Sequence, residues 1–146
     1  MAITKIHPIK STLNLAIDYI TKDEKPDNKI LVSGFKCNPA TAHISFLKTR
    51  EENQTNGTVL ARHLIQSFYP GETDAETAHR IGQELCERHL KNEYEYIIAT
   101  HIDRGHIHNH IIFNNVNFKT GKCYQSNKRS YHNIRMQSDE LCKENN

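Results

Sequence analysis

The stretch His101-Ile-Asp-Arg-Gly-His106-Ile-His108-Asn-His110-Ile-Ile-Phe-Asn114 decides how this chain is read. Four of its 10 histidines fall here and lead into an apolar run of the kind that forms a buried strand. Side chains alternate faces along a strand, so His106, His108 and His110 should project from one side. Upstream, Tyr94-Glu-Tyr-Ile-Ile-Ala-Thr100 is a second run rich in aromatic and β-branched residues, and Asp103-Arg104-Gly105 between the two carries turn chemistry. A hairpin follows. With Arg104-Gly105 as its loop, Asp103 faces His106, Ile102 faces Ile107 and His101 faces His108. Opposed Cβ atoms lie about 4.5–5.5 Å apart. His101, His108 and His110 thereby come within reach of one ion, at metal–nitrogen distances of about 2.0–2.1 Å for zinc and slightly more for manganese. Surface histidines or paired core histidines are the plainer reading of any one of them. Three on one face with a fourth across a hairpin favour a metal. Asp103 suits acceptance of a ligand's ring N–H, a role compatible with starting the turn.

Neutral imidazole binds zinc, manganese, cobalt, nickel or iron, and a three-histidine site leaves coordination positions open for a substrate oxygen. Polarisation of a phosphoryl oxygen suits such a site in a basic protein with aromatic side chains. Hydrolysis by activated water is the rival, for which Asp103 is the only obvious carboxylate base. No G-x-G-x-x-G or Walker loop is present.

With 146 residues and 36% hydrophobic content, the chain suits one domain with a real core. No apolar stretch approaches a membrane span and the start lacks a signal-peptide core, so a cytoplasmic protein without membrane insertion is expected. Cys37, Cys86, Cys123 and Cys142 are scattered and form no C-x-x-C pair, which predicts reduced thiols. The net charge of +2 argues only weakly for nucleic acid. Local charge says more. Lys119, Lys122, Lys128, Arg129 and Arg135 occur in one acid-free stretch interleaved with Tyr124 and Tyr131, which fits either a backbone-tracking, base-stacking surface or a solvated loop.

Periodicity predicts a strand at Ile3–Ile6, then a helix capped by Ser11 or Thr12 and running through Ile20, with Leu13, Ala16, Ile17 and Ile20 as its stripe. Tyr19 lies beside that stripe and by pattern alone is a packing residue. Residues 23–29 form a polar connector, and a strand follows at Ile30–Ser33. A helix runs from Pro39 to about Thr49, then a polar loop of mobile composition from Glu51 to Gly57 and a strand at Thr58–Tyr69. A helix capped by Thr73 or Asp74 extends to about Lys91, with Glu76 and Arg88, His89 and Lys91 suiting its dipole. After the histidine hairpin, a last helix spans Ser130–Lys143. The order predicts an α+β fold with a central, largely antiparallel sheet of about five strands flanked by helices.

Several segments together resemble the relaxases, the mobilisation nucleases of conjugative plasmids and integrative elements, within the HUH endonucleases. They are Ser11–Ile20 with Tyr19, Ser33-Gly-Phe-Lys-Cys37, Arg62–Phe68 with Pro70-Gly71-Glu72, Ala78-His-Arg-Ile-Gly82, and above all Thr100–Asn114. The resemblance implies the HUH-type sheet, a metal triad of His101, His108 and His110, and Tyr19 as nucleophile, as in MOBP-like members. It implies nicking and rejoining of single-stranded DNA at an origin of transfer through a 5′-phosphotyrosyl intermediate. Mn²⁺ or Mg²⁺ is then the expected ion, with Zn²⁺, Co²⁺ or Ni²⁺ as alternatives. Asp103, His106 and His63 are expected to support the ligands or touch DNA, with Lys119, Lys122, Lys128 and Arg129 binding the backbone. An accessory mobilisation protein and a coupling protein are the implied partners. Because relaxases are generally longer, residues 1–146 read as the nuclease domain at the N-terminal end of a longer protein. His7 is the candidate if a histidine is the nucleophile. A rolling-circle replication initiator, a non-catalytic DNA-binding domain with a structural metal, and a hydrolase of small substrates are the alternatives.

Overall fold

The computed structural model describes residues 2–22, 30–103 and 105–145. In chain order these form β1 (Ile3–Ile9), α1 (Leu13–Thr21), β2 (Ile30–Phe35), a 3-10 turn (Pro39–Thr41), α2 (Ala42–Glu52), β3 (Ala61–Ser67), α3 (Ala75–Leu90), β4 (Tyr96–Asp103), β5 (His106–Asn114) and α4 (Lys128–Glu144). The strands make one sheet in the order β1-β3-β5-β4-β2, with every neighbouring pair antiparallel. The expected α+β architecture is the observed one.

Its two central strands are covered on both faces, which is why they read as apolar runs rather than alternating ones. Ile98, Ile111 and Phe113 face α3 and α4, packing with Leu85, Ile134 and Leu141. Ile97, Ala99 and Ile112 face α1 and α2, packing with Ile17, Ile20 and Phe46. Helix α3 comes so close that a side chain at Gly82 would collide with Ile98 and Asn109. The hairpin register is the expected one, with Asp103 opposite His106, Ile102 opposite Ile107 and His101 opposite His108. Gly105 in the turn has φ of 80°, a conformation that costs little only for glycine.

Local chemistry explains where element ends depart from expectation. Thr12 does not cap α1 with its side chain; it sits in the left-handed region and its hydroxyl bonds the Ser11 carbonyl. Asp74 caps α3 by accepting from the Thr77 amide at 2.7 Å. Helix α4 starts two residues earlier than expected, because Asn127 and Ser130 cap each other's backbone amides. Strand β3 begins at Ala61 rather than Thr58, and α2 runs on to Glu52. The polar loop that follows is anchored: the buried Arg50 guanidinium donates to the Val59 carbonyl at 2.9 Å and the Gly57 carbonyl at 2.7 Å. Strand β1 extends through Pro8 to Ile9, which an outer strand allows because its missing amide is not required by a second neighbour. The connector expected at 23–29 lies outside the described residues. All four cysteines are free thiols. Among the described residues no helix is long and apolar enough to cross a membrane.

Candidate metal and nucleophile site

Register alone gathers the histidines. On the face covered by α1 and α2, one row across the sheet reads Ile3, Ser67, His108, His101, the next Lys5, Ile65, His110, Ala99, and the third His7, His63, Ile112, Ile97. The ring centroids of His101 and His110 are 4.7 Å apart, those of His108 and His110 6.3 Å, and those of His63 and His110 5.2 Å. Beyond them, His7 packs edge-on to His63 at 5.0 Å, and His106 stacks with His108 at 6.3 Å near the turn.

Each histidine of the expected triad has one ring nitrogen engaged. The Nε2 of His101 bonds the Ile20 carbonyl, and because a carbonyl only accepts, Nε2 carries the proton and Nδ1 keeps a free lone pair. His108 uses Nδ1 toward the Ser67 hydroxyl at 3.0 Å, and His110 uses Nδ1 toward His63 Nε2 at 3.0 Å. Both retain Nε2. Burial, then the surrounding imidazoles, hold His110 down to about 3, and burial with His7 and His101 holds His63 at about 4. His108 is lowered chiefly by burial. Neutral imidazoles with one oriented nitrogen and one lone pair are the donor set that a divalent ion takes. As the side chains stand, no three histidine, cysteine or carboxylate groups among the described residues form a finished cage, the wide His108–His110 side being open.

Asp103 lies opposite His106, is exposed, and raises His108 through its charge, but the described hydrogen bonds of the triad run to Ile20, Ser67 and His63 instead. Ser67 and the Ile20 carbonyl were not legible as partners, since strand register and helix docking create them. Tyr124, grouped with exposed base-stacking aromatics, is buried at 9% exposure against Phe113 and Tyr94, and its hydroxyl meets His89 Nε2 at 2.6 Å.

Tyr19 is 75% exposed on α1, off the stripe of Leu13, Ile17 and Ile20 that docks the helix. Its neighbour Ile20 supplies the carbonyl bonded to His101, so the last turn of α1 is tied to the histidine cluster. Lys119, Lys122, Lys128 and Arg129 are all exposed. The first two lie in the turn closed by the Val116–Cys123 bridge beyond Asn114, and His108 to Asn114 alone spans about 20 Å of strand.

The antiparallel sheet carries clustered histidines, with a tyrosine-bearing helix docked on the same face. The family described as relaxase, MobA/VirD2-like, nuclease domain matches residues 19–146, and the chain belongs to that family. It is 40% identical over 144 residues to a protein rlx of Staphylococcus aureus, covering 99% of this chain and 43% of that relative. It is 42% identical over 118 residues to the group II intron-interrupted relaxase LtrB of Lactococcus lactis subsp. cremoris, covering 80% of this chain and 20% of the relative. The chain thus spans less than half the length of these curated relatives. A solved chain described as "Molecular Basis of Vancomycin Resistance Transfer in Staphylococcus aureus" shares the fold, with a TM-score of 0.66 at 13% identity, over 99% of this chain and 92% of that one.

Proposed function

We propose that this chain is the nuclease domain of a relaxase that nicks and rejoins one DNA strand at an origin of transfer, initiating conjugative mobilisation. The observation that carries the reading is the bond between Ile20 and His101, which holds the Tyr19 turn against the cluster of His101, His108 and His110. His101 through Nδ1, and His108 and His110 through Nε2, would hold a divalent ion, Mn²⁺ or Mg²⁺ by preference. Bound there, the ion supplies Lewis-acid polarisation of a phosphoryl oxygen.

Tyr19 Oη attacks the scissile phosphorus, forming the P–O bond to tyrosine as the P–O3′ bond breaks. The phenol loses a proton and the departing 3′ oxygen gains one, so no water is consumed. The 5′-phosphotyrosyl link retains the phosphodiester's reactivity, and attack by a 3′-hydroxyl reverses the step. His63 keeps His110 oriented by accepting its Nδ1–H, while Ser67 does the same for His108. The substrate is single-stranded origin DNA in the cytoplasm, and the accessory and coupling proteins of mobilisation are the partners of the longer protein.

The test is a denaturing gel of protein with labelled single-stranded DNA from beside its gene, with Mn²⁺ or with chelator. A metal-dependent band shifted by the protein's mass is expected for wild type and absent in Tyr19→Phe. Because Tyr19 is exposed, the variant should melt at the wild-type temperature. Cleavage that persists in Tyr19→Phe sinks the tyrosyl assignment and turns attention to His7. Turnover without any adduct indicates hydrolysis.

A further inference from the structure

The sheet's outer edge holds a feature the histidine site does not use. An open groove of about 890 Å³ runs along β1, bounded by α4 and by Tyr69 beyond β3. Its floor is apolar, with Ile6, Leu64 and Ile134, while Lys5, His7, Tyr131 and Arg135 form its rim. Asp139 is the acid in the lining. Tyr69 and Tyr131 are 57% and 46% exposed, a wasteful arrangement for two large rings unless something covers them. Arg135 is exposed, with its guanidinium beside the His132 ring at 3.4 Å.

Ile6 and Leu64 of the groove floor alternate with Lys5, His7, His63 and Ile65 along their strands and so lie on the opposite face of the sheet from the histidines, and β1, at the sheet's edge, joins the two faces. Lys5 lies in the same cross-sheet row as His110, two strands away, which at about 4.8 Å per strand is roughly 10 Å. His7 lies in the row of His63 and touches it edge-on at 5.0 Å. A polymer leaving the histidine cluster across β3 would meet Lys5 and His7 first, then pass over the β1 edge to the two tyrosines and Arg135. Cations that follow a backbone, interleaved with exposed aromatic faces on an apolar floor, are the recognition chemistry of single-stranded nucleic acid. Positive rim charge also favours that occupant over an uncharged peptide strand added to the β1 edge.

We infer that this β1–α4 groove is a binding track for single-stranded DNA flanking the scissile phosphate, with Tyr69 and Tyr131 stacking bases and Lys5 and Arg135 meeting phosphates. The inference rests on the proposed function and adds to it where one flank of the substrate runs. It also divides the basic stretch of the C-terminal region: Tyr131 and Arg135 line the groove, whereas Lys119 and Lys122 lie beyond the far end of β5.

The test measures fluorescence anisotropy of labelled oligo-dT, about 4 and about 16 nucleotides long, with the whole chain in chelator. Wild type should bind the longer probe more tightly. Tyr131→Ala and Tyr69→Ala should each weaken the longer probe about tenfold or more, Tyr131→Phe should restore binding, and Arg135→Glu should weaken it and flatten its salt dependence. Circular dichroism melts of these surface variants should match wild type. If wild type binds the longer probe and all three disruptive variants bind it equally well, the track is overturned, and peptide addition to the β1 edge becomes the reading of the groove. If wild type binds neither probe, the track is overturned, while the proposed function is decided separately by the adduct on DNA from beside the gene.

Discussion

The two faces of β4 and β5 carry polar side chains at alternating positions and differ in how fully those side chains are bonded. On the face toward α3, Thr100, Asn109, Gln66 and Ser138 are all 0% exposed and joined in one line. Thr100 Oγ1 donates to Asn109 Oδ1 at 2.6 Å, Asn109 Nδ2 donates to Gln66 Oε1 at 3.0 Å and to the Ala78 carbonyl at 2.7 Å, and Gln66 Nε2 donates to Ser138 Oγ at 2.8 Å. The Thr100 proton being committed, His79 must donate from Nδ1 at 2.7 Å, and its Nε2 then accepts from Ser33 at 2.7 Å. One residue along on the other face, His101, His108 and His110 each keep a nitrogen lone pair unused. A closed network specifies packing, and an open set of oriented lone pairs is left free to take a ligand. The same strands do both because their period is two.

The comparison breaks if the faces fail to separate stability from ion binding. His108→Ala should abolish Mn²⁺ binding by calorimetry and cut nicking at least about a hundredfold, with the urea midpoint nearly unchanged. Asn109→Leu should instead cost about 3 kcal/mol or more in urea unfolding, because Gln66, Ala78 and Thr100 lose their buried partner and Gly82 leaves no room for the new branch. Equal destabilisation by both variants would mean that the histidines are structural as well, and would remove the distinction.

Acid sharpens the contrast. His110 and His63 are held to about 3 and about 4 in the folded chain, mainly by burial, against about 6.5 unfolded. The unfolded state therefore binds more protons once the pH falls below 6.5. Their contribution to stability is complete above that value and is lost progressively down to about pH 4 for His63 and about pH 3 for His110, by at most about 1.4 kcal/mol per pH unit for each group. Urea midpoints of metal-free protein should fall across this window, and His63→Asn should shallow the slope. An unchanged slope would show that His63 is not buried as a neutral ring.

The hairpin was the most legible part of the molecule because turn chemistry, alternation and strand propensity all fix one register there. Once the register is fixed, His101 opposite His108 follows without tertiary information. The triad's hydrogen-bond partners were not legible in the same way. Ser67 and the Ile20 carbonyl reach the histidines only because β3 pairs with β5 and α1 docks on that face, contacts separated by 41 and 81 residues, whereas His63, 47 residues from His110, was expected there only through the family resemblance. Tyr124 misled for a related reason: a tyrosine among lysines looks exposed until the chain folds back and Phe113 covers its ring. Thr100 and Asn109, interleaved with the histidines, were a signal in plain sight, since two polar residues pointing into a buried face need partners on elements packed against it.

That need should decline toward the sheet's rim, which yields the smallest effect. Ser33 lies on the outer strand β2, half-buried, where its hydroxyl donates to His79 and receives Gln83 Nε2 at 3.3 Å. Ser33→Ala removes one bond at a place that water can reach, so His79 Nε2 finds a replacement donor. The expected cost is about 0.5–1 kcal/mol, well under that of Asn109→Leu, with Mn²⁺ binding unaffected. A loss from Ser33→Ala as large as that from Asn109→Leu would show that the line acts as one cooperative unit from rim to centre. Partner-by-partner accounting would then fail for it, and the histidine face would be resting on a single indivisible support.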